Sequence, residues 1–313
     1  MTGPRHILVV AHARRDDTVE AAERVIQELR SAGAVPVLSE EDRSELIQIL
    51  PQCADLPALG ADVPLADIEL AIVLGGDGTI LRAAELVRGG TAPVLGINLG
   101  HVGFLAESER DDMDEAVARV IARDYRVEER LALSVRVKDV SGAVIYETWA
   151  LNEATVEKAS RERMLEVVIE VDGRPLSSFG CDGVVVSTPT GSTAYNFSAG
   201  GPVIWPTVEA IAVVPLSAHA LFAKPLVLGP EASVAIEVLA RTNGTGILWC
   251  DGRRSHDLPP GARVVVRRSS EPVRLARLHP AAFTDRLVDK FHLPVTGWRG
   301  PDALPARPSG RTA

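Results

Sequence analysis

Residues 70–74, Leu-Ala-Ile-Val-Leu, run without a polar residue and stop at Gly75-Gly76-Asp77-Gly78-Thr79. An apolar run with no alternation reads as a strand covered on both faces, the pattern of a parallel sheet's interior. Such a strand needs helices to cover it, and the flanking sequence has them. Val19, Ala22, Val25, Ile26 and Leu29 fall at helical spacing within residues 17–32, and Gly33 follows as a stop. Ile80 to Val87 and Glu107 to Arg123 read as further helices, and residues 6–11, Val35–Leu38 and Pro93–Asn98 as strands. Residues 43–60 show no clear period. Strand–helix repeats of this kind build an open parallel sheet, so residues 1–126 are predicted as an N-terminal α/β domain.

From about residue 127 the pattern changes. Leu133–Lys138, Ala143–Leu151 and Leu165–Val171 look like strands with Ser-Gly and Asp-Gly turns nearby. Further strand-like runs fall at 183–187, 233–239, 246–250, 263–267 and 272–278. Residues 127–278 are therefore expected to form a β-rich domain. Ala281–Phe291, with Phe283, Leu287 and Phe291 at helical spacing, reads as a late helix within a segment 279–293. Residues 294–313 hold four prolines and no apolar period, and are expected to be a flexible tail.

Composition excludes several classes. The chain has 313 residues, 33 Lys+Arg against 42 Asp+Glu, and a formal charge of −9. Such a surface repels nucleic acid and anionic membranes. No apolar run approaches the roughly 18 residues a membrane span needs. Near the N-terminus the apolar stretch is too short for a signal peptide. Cys53, Cys181 and Cys250 are too scattered for a disulfide framework or a zinc site, which suits a cytoplasmic protein.

Four segments carry chemistry. Gly75-Gly76-Asp77-Gly78-Thr79 sits at the carboxyl end of a sheet strand, where open α/β sheets bind ligands. The next helix aims its unpaired N–H groups at the same spot, which suits phosphate. This is neither a Walker A loop nor Gly-x-Gly-x-x-Gly. Asp77 either caps that helix or acts on a ligand. A second glycine turn, Asn98-Leu-Gly100-His101-Val-Gly103-Phe104-Leu, follows the next strand, so two turns flank one crevice. The third segment contains Asn152 and Glu153, an amide and a carboxylate that suit a base and a sugar, or simply a polar turn. The fourth runs from Gly180 to Pro202 through Asp182, Thr188-Pro-Thr-Gly-Ser and Thr193-Ala194-Tyr195-Asn196-Phe197-Ser198. Its Ser, Thr and Gly content resembles a linker, but Val184–Val186, Tyr195 and Phe197 argue for a folded loop around a polar ligand. Cys181 reads as a small core residue. Arg82, Lys158, Arg161 and Arg163 are the basic residues nearby.

Together these segments resemble the NAD kinase family, in the family's order and over about residues 6–293. Asp251-Gly252-Arg253 and Phe283-x-x-Arg286-Leu also fit. The resemblance implies phosphorylation of the 2′-hydroxyl of the adenosine ribose of NAD, giving NADP, with ATP or polyphosphate as donor. It implies a Rossmann-like α/β domain, a β-rich domain, a last segment that returns to the first domain, and a site in the cleft between them. Asp77 would be the catalytic base. Gly75, Gly76, Gly78 and Thr79 would meet the donor phosphates. NAD would be bound by Asp77, Gly78, Asn152, Glu153, Asp182 and the run Thr193, Ala194, Tyr195, Asn196, Phe197, Ser198. Arg82 and Arg163 would approach its phosphates. A divalent cation, Mg²⁺, would be needed without a dedicated protein site, and the assembly would be a homodimer or homotetramer. Leu99 departs from the family's frequent Thr, and Pro215–Phe222 matches loosely.

The physics agrees with this reading. Phosphoryl transfer needs positioning and charge neutralisation more than covalent chemistry, and a carboxylate can orient a ribose hydroxyl and take its proton. Two other readings compete: a lipid or sugar-phosphate kinase sharing the Gly-Gly-Asp-Gly loop, and a non-catalytic nucleotide sensor. The −9 charge opposes the lipid kinase, and Asp77 would be superfluous in a sensor.

Overall fold

The computed structural model describes residues 3–12, 15–100, 103–160, 164–241, 245–279 and 283–295. The first part of the chain runs β1 (Arg5–Ala11), α1 (Asp16–Ser31), β2 (Ala34–Val37), α2 (Glu40–Leu46), β3 (Ile68–Leu74), α3 (Asp77–Leu86), β4 (Val94–Asn98), β5 (Ser108–Glu109), α4 (Met113–Ala122) and β6 (Arg126–Arg130). Strands β1 to β5 pair in parallel. Alternate residues of β1 and β3 enter opposite cores, as the two-residue repeat of a strand requires. Ile7, Val9, Leu70 and Ile72 pack with Val25 and Leu29 of α1 and Val117 of α4. Leu8, Val10, Ala71 and Val73 pack with Ile80 and Ala84 of α3. Both faces are covered, which explains why β3 shows no polar alternation.

The second part runs β7 (Leu133–Lys138), β8 (Val144–Ala150), β9 (Glu153–Lys158), β10 (Leu165–Val171), β11 (Arg174–Cys181), β12 (Gly183–Ser187), α5 (Tyr195–Ser198), β13 (Ile211–Leu216), β14 (Leu226–Leu228), β15 (Val234–Val238), β16 (Gly246–Cys250), β17 (Arg254–Leu258), β18 (Arg263–Arg268), β19 (Val273–Arg277) and α6 (Phe283–Phe291). Two six-stranded antiparallel sheets result, ordered β11-β10-β15-β18-β7-β8 and β14-β13-β12-β9-β16-β17. They share one core: Val135, Val167 and Ile236 of the first meet Val156, Val184 and Leu248 of the second.

Several expectations change in detail. β6 and β19, at the two ends of the stretch expected to be β-rich, belong to the first sheet, whose order is β2-β1-β3-β4-β19-β6. Local sequence does not reveal this, because strand pairing partners are non-local. The helix expected over 107–123 is confined to α4, preceded by the short strand β5 and a 3₁₀ turn. Within 43–60 lie the end of α2, begun by the cap in which Ser39 accepts from the Asp42 amide, and a 3₁₀ turn. The segment 180–202 is folded, not a linker. Residues 296–313, most of the expected tail, lie outside the described residues.

Among the described residues no helix is long and apolar enough to cross a membrane. The three cysteines are free and buried. Burial pushes the Cys181 thiol up to about 12, which suits the core role expected of it.

Candidate active site

Strand β3 ends in the glycine turn at the carboxyl edge of the first sheet. Gly75 has φ +151°, and a β-carbon there would lie 2.6 Å from Thr79 Oγ1, so the turn closes only with glycine. Gly76, not Asp77, is the N-cap of α3, and Asp77 is its first helical residue. The capping alternative for Asp77 is thereby removed. Its carboxylate instead faces the second glycine turn, accepting hydrogen bonds from the amides of Phe104 (3.0 Å) and Leu105 (3.1 Å). A β-carbon at Gly103 would overlap that carboxylate, so this glycine permits the close approach of the two turns. Gly76 and Gly78 are exposed, and a β-carbon on either meets no atom within 4 Å. The turn therefore presents bare backbone around an aimed carboxylate. His101 lies outside the described residues.

Asn152 and Glu153 lie where β8 turns into β9. Leu151, just before them, is buried with Ile80 and Ala84 of α3, which brings this turn towards the Asp77 helix. Asp251 shapes it. Its carboxylate accepts from the amides of Leu151 (2.9 Å) and Asn152 (2.7 Å) and from Arg254 (2.6 Å). Its own amide donates to the Glu153 carbonyl at 3.0 Å. Glu153 is 7 % exposed and its Oε2 has no hydrogen-bond partner among the described residues. Burial first, and the charge of Asp251 second, push its carboxyl up to about 8. Glu153 thus holds a proton at neutral pH in the free chain.

The fourth segment folds onto this turn. The Thr188 amide donates to the Asn152 carbonyl at 2.9 Å, and its hydroxyl to the Leu151 carbonyl at 2.5 Å. The short helix α5 then places Tyr195 beside Glu153. Both line a cavity of about 430 Å³ with Thr155, Glu157, Trp249 and Gly252. Trp249 and Thr155 were not foreseen. They face one another across β16 and β9, a pairing only the sheet register supplies.

The remaining expected site residues divide. Ala194 and half-buried Thr193 flank Tyr195, and Thr193 donates to the Thr190 carbonyl at 3.3 Å. Ser198 is exposed. Asn196 is fully buried, and its Nδ2 donates to the Ser192 and Pro202 carbonyls at 3.2 and 3.0 Å, so it staples the loop, while its Oδ1 has no hydrogen-bond partner among the described residues. Phe197 stacks on Phe291 of α6 at 4.4 Å, and Phe291 lies 5.7 Å from Phe104. Arg286 of α6 also donates to the Phe104 carbonyl at 2.8 Å. The last helix thus joins the loop that holds Asp77 to the loop that holds Tyr195.

Arg82 does not reach into the crevice as expected. It is 5 % exposed and pairs with Asp42 at 2.6 Å and Glu41 at 3.2 Å, tying α3 to α2. Asp182 pairs with Lys158 at 2.5 Å, which holds its carboxyl below the usual range. It precedes β12, whereas Glu153 pairs with Ser187 at the far end of that strand, about 17 Å away at strand rise. Within one chain these two carboxylates are not brought together. Arg163 lies outside the described residues.

With this geometry in place, the comparisons are specific. Residues 7–125 match the family model for the ATP-NAD kinase N-terminal domain, and residues 151–278 that for the ATP-NAD kinase C-terminal domain. The chain belongs to the NAD kinase family. The NAD kinase of Leifsonia xyli subsp. xyli is 69% identical over 302 residues, 96% of this chain and 99% of the relative. NAD kinase 2 of Streptomyces coelicolor is 57% identical, covering 95% of this chain and 97% of the relative. Among solved structures, yeast NADH kinase complexed with NADH superposes with a TM-score of 0.82 at 23% identity, covering 95% of this chain and 90% of that one, a likeness of fold. An NAD kinase from Archaeoglobus fulgidus in complex with ATP gives 0.68 at 25% identity, covering 92% and 98%.

For an NAD kinase the architecture is economical in charge. Among the described residues no group of three or more His, Cys, Asp or Glu is placed to hold a metal ion. Glu153 and Asp251, whose charges interact, are buried, and the second is engaged by two amides and Arg254. They do not form a metal cradle.

Proposed function

We propose that this chain transfers the terminal phosphoryl group of ATP to the 2′-hydroxyl of the adenosine ribose of NAD, forming NADP and ADP. The observation that carries the assignment of roles is the Asp77 carboxylate, fixed by two amides at the mouth of a bare glycine turn on a helix N-terminus. The ribose hydroxyl is too weak an acid to ionise at neutral pH. A carboxylate already oriented can accept its proton as the oxygen–phosphorus bond forms and ADP departs. The Gly75 amide donates to the Ile97 carbonyl at 3.0 Å and the Thr79 amide to the Gly76 carbonyl at 2.9 Å, so those two residues shape the turn, and the bare Gly76 and Gly78 offer the donor phosphates their N–H groups in the field of α3.

The cavity at Glu153 and Tyr195 suits the nucleoside of NAD. Tyr195 is 39 % exposed and offers a ring face, while Trp249 supplies a second flat wall. Asn152 offers both a donor and an acceptor. The lipid and sugar-phosphate kinase readings and the sensor reading find no support in the relatives, which carry the NAD kinase name over nearly their full length. Mg²⁺ belongs to this reading as part of the donor, carried by its phosphates. Polyphosphate as an alternative donor, a homodimeric or homotetrameric assembly and a cytoplasmic setting accompany the proposal. The last is supported by the buried free thiols.

A coupled assay tests the proposal: NAD, ATP and Mg²⁺ with the purified chain, followed by an NADP-specific dehydrogenase. NADP formation is expected, and its absence with folded protein overturns the reading. Replacing NAD by NADH, and ATP by polyphosphate, assigns the substrate range.

A further inference from the structure

Beyond the Asp77 turn, at the carboxyl edge of the first sheet, lies a cavity of about 680 Å³. It is built around the ends of β19, β6 and α4. Three strand spacings, about 14 Å, separate β6 at its far wall from β3, while Phe104, whose amide holds Asp77, stands in its near wall. Its wall carries six guanidinium groups, from Arg119, Arg123, Arg126, Arg130, Arg277 and Arg286. In a chain of net charge −9 this concentration runs against the average.

The neighbouring carboxylates do not match it. Arg119 pairs with Asp124 at 2.9 Å and Arg123 with Glu69 at 2.7 Å. Arg130 and Arg277 share Glu128, at 3.0 and 2.7 Å. Arg277 and Arg286 share Glu107, at 3.0 and 3.1 Å. Five guanidiniums therefore divide four carboxylates before exposed Arg126 is counted. Two of those carboxylates have further commitments. Glu69 also pairs with Arg5 at 2.6 Å, and Glu107 accepts from the amides of Leu278 and His279 at 3.0 and 2.9 Å.

Two of these arginines are held in an unfavourable position. Arg130 is 8 % exposed, and its Nε makes no hydrogen bond although Glu128 lies 3.0 Å away. Burial, and then the charge of Arg277, lower the proton affinity of both Arg130 and Arg286. A guanidinium stays charged regardless, so crowding of this kind is relieved by a bound anion and not by deprotonation. The rings of Phe104, Tyr125, Trp205 and Phe283 complete the wall.

We propose that this cavity binds a phosphate chain, inorganic or carried by a nucleotide, at a site separate from the Asp77 centre. Guanidinium and phosphate groups pair through two parallel hydrogen bonds, and several guanidiniums around one volume suit several linked phosphates. The volume is that of a small-molecule site. Phe104 connects the two places. Its amide holds Asp77, its carbonyl accepts from Arg286, and its ring lines the cavity. An anion that draws on Arg286 therefore acts on the residue that orients Asp77.

The test is a titration of the full chain with tripolyphosphate in the absence of NAD, so that binding is read independently of turnover. Isothermal calorimetry gives the affinity, and Trp205 fluorescence, with Trp205→Phe as the blank, reports the place. Tripolyphosphate should bind, bind more weakly at high salt, and lose at least tenfold in affinity in Arg126→Glu. Arg126 is exposed, so that variant keeps the fold. Arg126→Lys should recover most of the loss. Orthophosphate should bind much more weakly than tripolyphosphate. ATP that perturbs Trp205 more tightly than tripolyphosphate, with the same sensitivity to Arg126→Glu, identifies a nucleotide guest; equal affinities identify the bare chain. An affinity unchanged in Arg126→Glu, or the absence of any fluorescence change that is lost in Trp205→Phe, overturns the proposal.

Discussion

Glu153→Gln should remove a pH dependence from the folding stability of this protein. The buried carboxyl of Glu153 is pushed up to about 8 from an ordinary 4.5. Between those values the folded chain keeps a proton that the unfolded chain has released. The associated stability is fully present below the unfolded value and is lost as pH rises through the folded one. Over the whole window that gap corresponds to about 5 kcal/mol, and between pH 6 and pH 8 to about 2 kcal/mol. Gln keeps the shape of the protonated acid and cannot ionise. Urea denaturation of both proteins at pH 6 and pH 8 should show wild type losing about 2 kcal/mol more than Glu153→Gln. The same proton enters NAD binding. If ribose hydroxyls donate to Glu153, they favour its carboxylate, so NAD affinity should rise with pH below 8, by up to about tenfold per unit. That slope should vanish in Glu153→Gln. Identical stability profiles in the two proteins would refute the burial argument, and a binding slope that persists in the variant would place the titrating group elsewhere.

Asp77→Asn should lose on the order of 10²–10⁴ in kcat in the coupled assay while retaining NAD affinity within a few-fold. It should also be less stable by about 1–3 kcal/mol, because an amide nitrogen must then face the N–H of Phe104 or Leu105; wild-type turnover would leave Asp77 as a loop clamp. Arg82→Ala strips Asp42 of its buried partner and should cost about 3–5 kcal/mol in denaturation, with the KM for NAD of the folded fraction little changed. A variant of normal stability with a greatly raised KM would instead return Arg82 to the NAD phosphates. Tyr195→Ala should weaken NAD binding in calorimetry while the KM for ATP stays within a few-fold, and the reverse pattern would exchange the two sites. Excess EDTA should abolish NADP formation and Mg²⁺ restore it, with the melting temperature unmoved; full activity in EDTA would remove the metal from the reading.

Much of the site was legible because its chemistry is local. The Gly75–Thr79 turn, its place after a buried strand, and the helix behind it all follow from a dozen consecutive residues. So does the choice of a folded loop over a linker at 180–202, since Val184–Val186 must be buried and become β12. What sequence could not show is which polar residues face inward. Asn196 and Arg82 stand beside ligand-type residues in the chain, yet the structure turns one into a staple and the other into an interhelical tie. Side-chain identity carries no record of that direction. Asp251 illustrates the opposite case. It is remote from Asn152 in sequence, and only the pairing of β9 with β16 makes it the residue that shapes the turn.

Periodicity and glycine placement alone determined that this chain has a parallel α/β half, a β-rich half, and a phosphate-type turn between strand and helix. Those properties depend on residues within a few positions of one another, where backbone geometry is set. Tertiary structure decided what long-range pairing decides. It sent β6 and β19 into the first sheet, set the Phe104 and Leu105 amides on Asp77, and raised the proton affinity of Glu153 by burying it beside Asp251. Strand partners, desolvation and the sharing of carboxylates among arginines are properties of neighbours in space, and no window of the sequence contains them.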